Sequence, residues 1–454
     1  MRKLYLVISL FFISGVGIYA QNDSLNALKY EHYRQRLVYF VKPGFEQGNS
    51  QIAGIRNRWD YGYSDLNFGQ HGIYMGYYLA MLASEYKVLM LEEKSTMARK
   101  TQIEIKQALY QYINYLDKSH SRTIVQKDSF DGFFVRENVP CNFLYQKNNF
   151  EYFNQGLTHN DRINLQTGHF GTLPPGHPGW VDQISECDSI PNVMSQDEVI
   201  GVLMGLAMVY KCLPENSEEQ LIAKEIALKM IQYVRNSSRK HGHALSMRWR
   251  IFSPEGQKLR LSQGGVAWFF AQGFVKSAKF FGDTTDNFLR KLSRYPQDLF
   301  FQFGQFMPSP NPDNIHMMTT LAAIGDVWRV PIPVVGFILK IPATRFGINS
   351  KTSTHDWEGF YQLYYNQLHD RTLRKKSVLK MIESQLNQAP MEGPYNYGHG
   401  FNPKGSGWSA SYKFHLKKSI QQGEKDGIPG NYNGVDYLLY YNLYKLELYR
   451  EKRN

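Results

Sequence analysis

Residues 194–210, MSQDEVIGVLMGLAMVY, indicate the fold more clearly than any other stretch of the chain. Ser195 followed by Glu198 has the S-x-x-E spacing of a capping box, which predicts that a helix begins here. Beyond Glu198 the residues are apolar on every side as far as Lys211, so we expect other elements to enclose this helix. Asp197 and Glu198 fall in its first turn, where the helix dipole favours negative charge. Capping is the simplest role for these two acids.

A second type of helix follows the enclosed one. In residues 218–234 apolar side chains recur at helical spacing between charged ones, which predicts a surface helix with one buried stripe. Couplets of an enclosed helix followed by an amphipathic helix recur along the chain. No amphipathic helix follows the last enclosed one, so we expect residues 24–41 to be its partner. These couplets cover residues 72–116, 197–234, 264–303, 313–328, 355–386 and 435–449.

Repeated helical hairpins predict an all-α array, either closed or solenoidal. Long segments at 117–191, 329–354 and 388–431 make the period irregular, which argues against a regular solenoid. Six couplets fit a closed ring if the first and last helices pair with each other. No Pro/Gly/Ser-rich linker divides the chain into domains. We therefore predict one domain over residues 21–454, with a few short strands over the mouth of a central cavity. The main strand candidates are residues 133–136 and 245–252.

This layout resembles the six-hairpin (α/α)6 toroid superfamily, which includes glycoside hydrolases and polysaccharide lyases. The resemblance is architectural and covers most of the mature chain. Residues 131–136 (DGFFVR) and 430–437 (GNYNGVDY) also resemble segments of exported proteins from polysaccharide-degrading bacteria. The resemblance implies a carbohydrate-active protein. No catalytic signature of a named glycosidase or lyase family matches residue for residue, so no catalytic residue is carried over.

The N-terminus predicts export. Residues 1–20 combine a basic N-terminal region, an apolar run and small residues before the expected cleavage site, which is typical of a secretory signal peptide. We therefore expect a periplasmic or extracellular protein that is not held in a membrane after signal removal. The chain has 52 Lys and Arg against 40 Asp and Glu, but no long basic arm, which argues against nucleic acid as a partner. A glycan, possibly an acidic one, suits this charge better, and the sequence leaves the oligomeric state open.

The three cysteines do not form a disulfide framework. Cys212 lies on the enclosed helix and is expected to be a small buried apolar residue. Cys141 and Cys187 fall in loop-like sequence and could pair in an oxidising compartment.

Carboxyl groups at the helix starts are the candidates for catalysis. In a ring of antiparallel hairpins the inner helices point the same way, so their N-termini surround one mouth. Glycoside hydrolysis needs two carboxyl groups, one protonated and one ionised. Asp197 is the first candidate because desolvation at the start of an apolar helix would favour its protonated form. Asp131 or Asp356 is the preferred partner, and Asp313 and Glu358 compete for that role.

Two functions other than glycoside hydrolysis fit the sequence, and each requires different residues. An eliminating lyase needs a base near a uronic-acid carbon and a group that neutralises the carboxylate. His316 and Tyr432 would be its working groups, although a hydrogen-bonded core histidine is the simpler interpretation of His316. A toroid that binds a glycan or a protein without catalysis is the other alternative, because fold does not fix function.

Loop aromatics over a cleft are candidates for substrate binding, since sugar rings pack on such side chains. No metal and no cofactor is predicted. Residues 159–182 gather His and Asp side chains, but without the tight spacing of a metal motif. The substrate-binding candidates are Trp59, Arg136, Trp357, His399, Trp408, Tyr432 and Asp436.

Overall fold

The structure, a computed structural model, describes residues 25–35, 37, 40–41, 52, 55–57, 66–67, 71–118, 129–135, 194–238, 240, 251–252, 267–283, 312–326, 329–334, 337–342, 358–373, 376–391, 395–396 and 430–453. This part is mostly helical, which confirms the predicted class at that level. The predicted signal peptide, Cys141 and Cys187 lie outside it. None of its helices is long and apolar enough to cross a membrane.

The helices of the described part are numbered in chain order. Helix α3 continues directly into a π-helical turn over Tyr112–Asp117. The helices are α1 (25–35), α2 (His71–Leu91), α3 (Ser95–Gln111), α4 (Gln196–Cys212), α5 (Glu218–Ser238), α6 (Ala267–Phe280), α7 (Pro312–Gly325), α8 (Glu358–His369), α9 (Lys376–Asn387) and α10 (Val435–Arg453).

Short strands accompany the helices. An antiparallel sheet has the strand order β2-β1-β6-β5, and β3 and β4 form a separate antiparallel pair in which Arg329 lies opposite Pro342. Residues 133–135 belong to no named strand, and residues 245–250 lie outside the described part. The strands are β1 (Ile55–Asn57), β2 (Leu66–Asn67), β3 (Arg329–Val334), β4 (Phe337–Pro342), β5 (Tyr395–Asn396) and β6 (Gly430–Tyr432).

Enclosed and surface helices differ as the sequence predicted. Helices α2 and α4 are buried along almost their whole length, whereas only Ile382 and Leu386 are buried on α9. Cys212 is buried at the end of α4, as expected. The difference follows from the residue pattern, because a helix that is apolar on all sides must have neighbours on all sides.

Helices α2 and α4 pack side by side and point in the same direction. Gly76 lies against Gly201, and one turn further along both helices Leu79 lies against Gly205. A Cβ atom on Gly76 would overlap the Gly201 carbonyl group, and one on Gly201 would come within 2.8 Å of the Ile73 Cα. Small residues at these positions let the two backbones approach closely.

The other enclosed helices share this direction. Asn442 of α10 donates to the Met81 carbonyl of α2 at 3.3 Å, and Tyr449, further along α10, donates to Glu92 just beyond the end of α2 at 2.9 Å. Two contacts join each remaining pair of neighbouring enclosed helices, and the residue numbers of both partners rise from the first contact to the second. These helices therefore run parallel, and their N-termini lie at one end. These pairs are His316–Tyr361 and Ala323–His369 between α7 and α8, Gly359–Tyr440 and Asn366–Glu447 between α8 and α10, and Gly273–Leu321 and Lys276–Gly325 between α6 and α7.

The packing order departs from a strictly sequential ring at α6. Helix α4 packs directly on α7, whereas α6 packs on α7 and α5. Helices α4 and α8 also touch: the Tyr364 hydroxyl donates to the Met204 carbonyl at 2.9 Å, and Gln367 contacts Cys212. Side chains therefore fill the space between α4 and α8 from their middles to their C-terminal ends.

The first described helix packs on the last one, as predicted for residues 24–41. The Tyr33 ring on α1 packs on the Tyr437 ring of α10, with centroids 4.5 Å apart. The Lys29 ammonium donates to the Asn387 carbonyl at the end of α9 at 2.8 Å. Helix α10 in turn packs on α2. The first and last helices of the described part are thus neighbours.

Replacing Gly76 by alanine should destabilise the protein by about 2 kcal/mol or more, because the new methyl group has no space between α2 and α4. The loss should occur although alanine is the better helix former by about 1 kcal/mol. Ser384→Ala, at an exposed position of α9, is the matched control and should leave stability almost unchanged. Chemical denaturation of both variants measures this, and equal stability of Gly76→Ala and wild type would contradict the close packing.

Candidate functional site

The first turns of α2 and α4 are joined by a carboxylate. Glu198 is fully buried, and its Oε2 accepts the backbone N–H of Ile73 at 3.0 Å. Gly72 leaves the room for this carboxylate, since a Cβ atom there would overlap it. Glu198 therefore caps the neighbouring helix and satisfies one of the N–H groups that a helix start leaves unpaired.

The predicted capping box within α4 is wrong. The Ser195 side chain makes no cap hydrogen bond to the start of α4, and its hydroxyl donates instead to the carboxylate of Asp197. Asp197 is half-buried, whereas Glu198 is completely enclosed. The two adjacent acids therefore have different surroundings, and only Asp197 is accessible.

His71 begins α2 and is fully buried. Its Nδ1 lies 2.8 Å from the Ile52 carbonyl oxygen, so Nδ1 carries a proton and donates to it. Burial lowers the pKa of His71 to about 4, which keeps the imidazole neutral at pH 7. In the neutral tautomer Nε2 is then the acceptor nitrogen.

Asp117 and Asp131 organise the turn that follows α3. The carboxylate of Asp117, at the end of the π-helical turn, accepts the N–H of Asp131 at 3.0 Å and that of Gly132 at 2.8 Å. Burial raises the pKa of Asp117 to about 8, against the effect of these two donors. Asp131 is exposed and accepts the Phe133 N–H at 2.9 Å. Sequence reasoning missed Asp117, because no local signal connects it to a turn fourteen residues later.

This turn lies beside the start of α4. The Met194 N–H donates to the Phe134 carbonyl at 2.9 Å, and the Val135 N–H donates to the Leu116 carbonyl at 3.0 Å. Residues 131–135 are therefore fixed between the end of the π-helical turn and the residue just before Ser195. Asp131 and Asp197, which the sequence suggested as partners, lie at the same end of the molecule.

Two further sequence candidates, Tyr432 and Asp436, lie just before and just after the first residue of α10. Asn433 Oδ1 accepts the Val435 N–H at 2.9 Å, and Asp436 follows in the first turn with 1% of its surface exposed. Strand β6 ends at Tyr432, directly before these residues. Because α10 and α2 point the same way, Asp436 is at the same end as His71.

His316 lies deeper, one turn into α7. It is fully buried, its Nδ1 is hydrogen-bonded to the Tyr361 hydroxyl, and its ring stacks on Tyr77 with centroids 6.3 Å apart. This environment favours the interpretation of His316 as a hydrogen-bonded core histidine.

The remaining candidates are only partly covered by the structure. Asp313 and Glu358 fall in the first turns of α7 and α8. No group of three or more His, Cys, Asp or Glu side chains within the described ranges could hold a metal ion. Residues 159–182 lie outside those ranges, as do Trp59, Arg136, Asp356, Trp357, His399 and Trp408.

The helix starts at this end are acidic, although the whole chain has a formal net charge of +12. The first four residues of α2, α4, α7, α8 and α10 include no Lys or Arg. The positive ends of the helix dipoles stabilise negative charge there. The acidic residues in these first turns are Asp197, Glu198, Asp313, Glu358 and Asp436.

Comparisons of this chain with protein-family models, with curated proteins and with solved structures give no match. The chemistry of this end must therefore be argued from its own residues.

The buried neutral His71 should make the protein sensitive to acid. Its pKa is about 4 in the folded protein against an ordinary value of 6.5, so the unfolded chain binds the extra proton between these values. Stability should therefore fall as the pH drops through this window, by about 2–3 kcal/mol between pH 7 and pH 4.5.

Denaturation of wild type and His71→Asn at both pH values measures this effect, because asparagine can donate to Ile52 without titrating. His32→Asn, at an exposed position of α1, is the control and should keep the wild-type pH dependence. An unchanged pH dependence in His71→Asn would show that His71 is not the responsible group.

Proposed function

We propose that the protein is an exported carbohydrate-active enzyme with an (α/α) toroid of six-hairpin type. The mouth of its site is formed by the N-terminal ends of α2, α4, α7, α8 and α10. The shared direction of these helices and the packing of α10 on α2 support this arrangement. Strands β2 and β6 precede α2 and α10 directly, which supports the placement of short strands beside the mouth.

The proposed reaction is hydrolysis of a glycosidic bond by Asp197 and Asp131. The hydrogen bond between Met194 and Phe134 carries this proposal, because it brings the turn of Asp131 next to the first turn of α4. Asp131 is exposed and Asp197 is half-buried. Glu198 and Asp117, by contrast, are enclosed and bound to backbone N–H groups.

The surroundings of Asp197 suggest its role in the pair. The Ser195 hydroxyl donates to its carboxylate, and the positive end of the α4 dipole lies beside it. Both effects favour the ionised form. Asp197 is therefore the base or nucleophile, and Asp131 is the second carboxyl group of the pair.

An eliminating lyase is less well supported. His316 would be its base, but the imidazole is enclosed in the core and bonded to Tyr361. The acidic helix starts also fit a uronic-acid substrate poorly, because like charges repel.

A screen of the purified mature protein against neutral and acidic polysaccharides tests the proposal. Hydrolysis should release reducing ends without new ultraviolet absorbance. Products that absorb in the ultraviolet would show a conjugated double bond and hence a lyase, and retention of a glycan without any product would show a binding protein.

Asp197→Asn should lower kcat/KM by about 100-fold or more, since removal of an acid–base group typically costs that much. Its melting temperature should stay close to wild type, because Asp197 is only half-buried and asparagine can still accept the Ser195 hydroxyl. Asp370→Asn is the matched control: it removes an exposed carboxylate at the opposite end of α8, where Asp370 pairs with Lys211 at 2.5 Å. Equal loss in both variants, or none in Asp197→Asn, would remove Asp197 from the mechanism.

A further inference from the structure

Asp117 is a fully buried carboxyl group at the end of the π-helical turn. It accepts the N–H of Asp131 at 3.0 Å and that of Gly132 at 2.8 Å. Burying a carboxyl group destabilises a protein unless its hydrogen bonds compensate. A turn that only reverses the chain does not need a buried acid, since an exposed Asn, Asp or Gly is sufficient. The place of Asp117 therefore points to a role beyond chain reversal.

Helix α5 holds the same turn as well. The Lys229 ammonium donates to the Phe130 carbonyl at 2.8 Å and lies 4.5 Å from the centroid of the Phe130 ring. Gly132 has a φ angle of 94° and packs on the α5 backbone, where a Cβ atom would come within 2.4 Å of the Lys229 carbonyl oxygen. Glycine is the residue that tolerates both this conformation and this close approach. The backbone on each side of Asp131 is thus fixed to a helix.

Asp131 is exposed, although the three residues after it are buried. Its Oδ1 accepts the Phe133 N–H at 2.9 Å, which orients the carboxylate. The Phe134 carbonyl accepts an N–H group from the segment that leads into α4. The bonds made by Asp117 therefore set where the Asp131 carboxylate lies with respect to the first turn of α4, and hence with respect to Asp197.

Placement of a catalytic group matters strongly, because a shift of about 1 Å can lower a rate by about 100-fold. Side chains that hold a catalytic group by hydrogen bonds are therefore part of a working site. We propose that Asp117 is a positioning residue, which holds Asp131 in the place and orientation that hydrolysis with Asp197 requires. This inference rests on the proposed function, because it adds a residue to the same site.

Five variants of the full mature chain test this role. Asp117→Leu removes both acceptors at similar volume, and Asp117→Asn keeps one. Asp131→Asn is made alone and together with Asp117→Leu. Glu447→Met is the matched control, since Glu447 is also a buried carboxyl group that accepts a backbone N–H, from Leu373 at the opposite end of the molecule.

Two measurements are made on each variant. Reducing-end release from oligosaccharides of glucose, xylose, mannose and galacturonate gives kcat and KM. Hydrogen exchange of residues 129–135 reports the order of the turn without any need for catalysis.

The kcat of Asp117→Leu should fall about 10- to 100-fold, with KM within about two-fold of wild type, because placement is lost and substrate binding is not. Asp117→Asn should lie between Asp117→Leu and wild type. The double variant should be no slower than Asp131→Asn alone, since Asp117 acts through Asp131. Glu447→Met should lose stability but keep kcat. The N–H groups of residues 131 and 132 should exchange slowly in wild type and faster in Asp117→Leu.

An unchanged kcat in Asp117→Leu would overturn the role. An equal loss of kcat in Glu447→Met would also overturn it, because the effect would then come from general destabilisation. So would a double variant that is slower than Asp131→Asn by the full factor seen in Asp117→Leu, since the two residues would then act independently.

Should Asp117→Leu not fold, Asp117→Asn and Lys229→Met take its place. Lys229→Met frees the same turn from α5, so a lower kcat with faster exchange would support the role, and unchanged kcat with faster exchange would overturn it. If wild type releases reducing ends from none of the probes, the hydrolase is refuted. The exchange measurement then decides by itself whether Asp117 fixes the turn, and fast exchange at residues 131 and 132 of wild type would refute that too.

Discussion

Close parallel packing of α2 on α4 is the constraint on which the rest of the structure depends. Glycines at positions 76, 201 and 205 allow the two backbones to touch, which fixes both the separation and the common direction of the helices. Two helix starts consequently lie side by side, and each has N–H groups that its own helix cannot satisfy. Glu198 meets part of this need by accepting the Ile73 N–H from its position on α4. The packing of the helix bodies thus determines where a buried charge is required.

The shared direction of the enclosed helices also explains the sign of the charge at their starts. Several positive dipole ends lie together there, and acidic side chains in the first turns compensate for them. The chain can therefore be basic as a whole and still have acidic residues in the first turns of α4 and α10. Net charge reports on solubility and long-range steering and not on a particular site, so it does not specify the substrate.

The sequence predicted those features that depend on local pattern. Unbroken apolar character identified α2 and α4 as enclosed helices, and the excess of acids at helix starts pointed to the end where the site is proposed. The capping box at Ser195 and Glu198 failed because Glu198 accepts the N–H of Ile73, which belongs to a helix more than a hundred residues away. The anchoring of the Asp131 turn by Asp117, the burial of His71 and the displacement of α6 from the sequential order are likewise set by tertiary neighbours, which a single sequence does not specify.

Side-chain packing between the enclosed helices restricts where a ligand can bind. Tyr364 and Gln367 of α8 contact α4 from the middle of the helices onward, so the interior between them is closed by side chains. At the opposite end the polar residues of the helix starts replace this apolar packing. A ligand of these helix starts would then approach along the helix axes from the N-terminal side, where the described part of the chain has Asp131 and Asp197 as accessible carboxylates. The packed half thus supplies the stability on which the polar half depends.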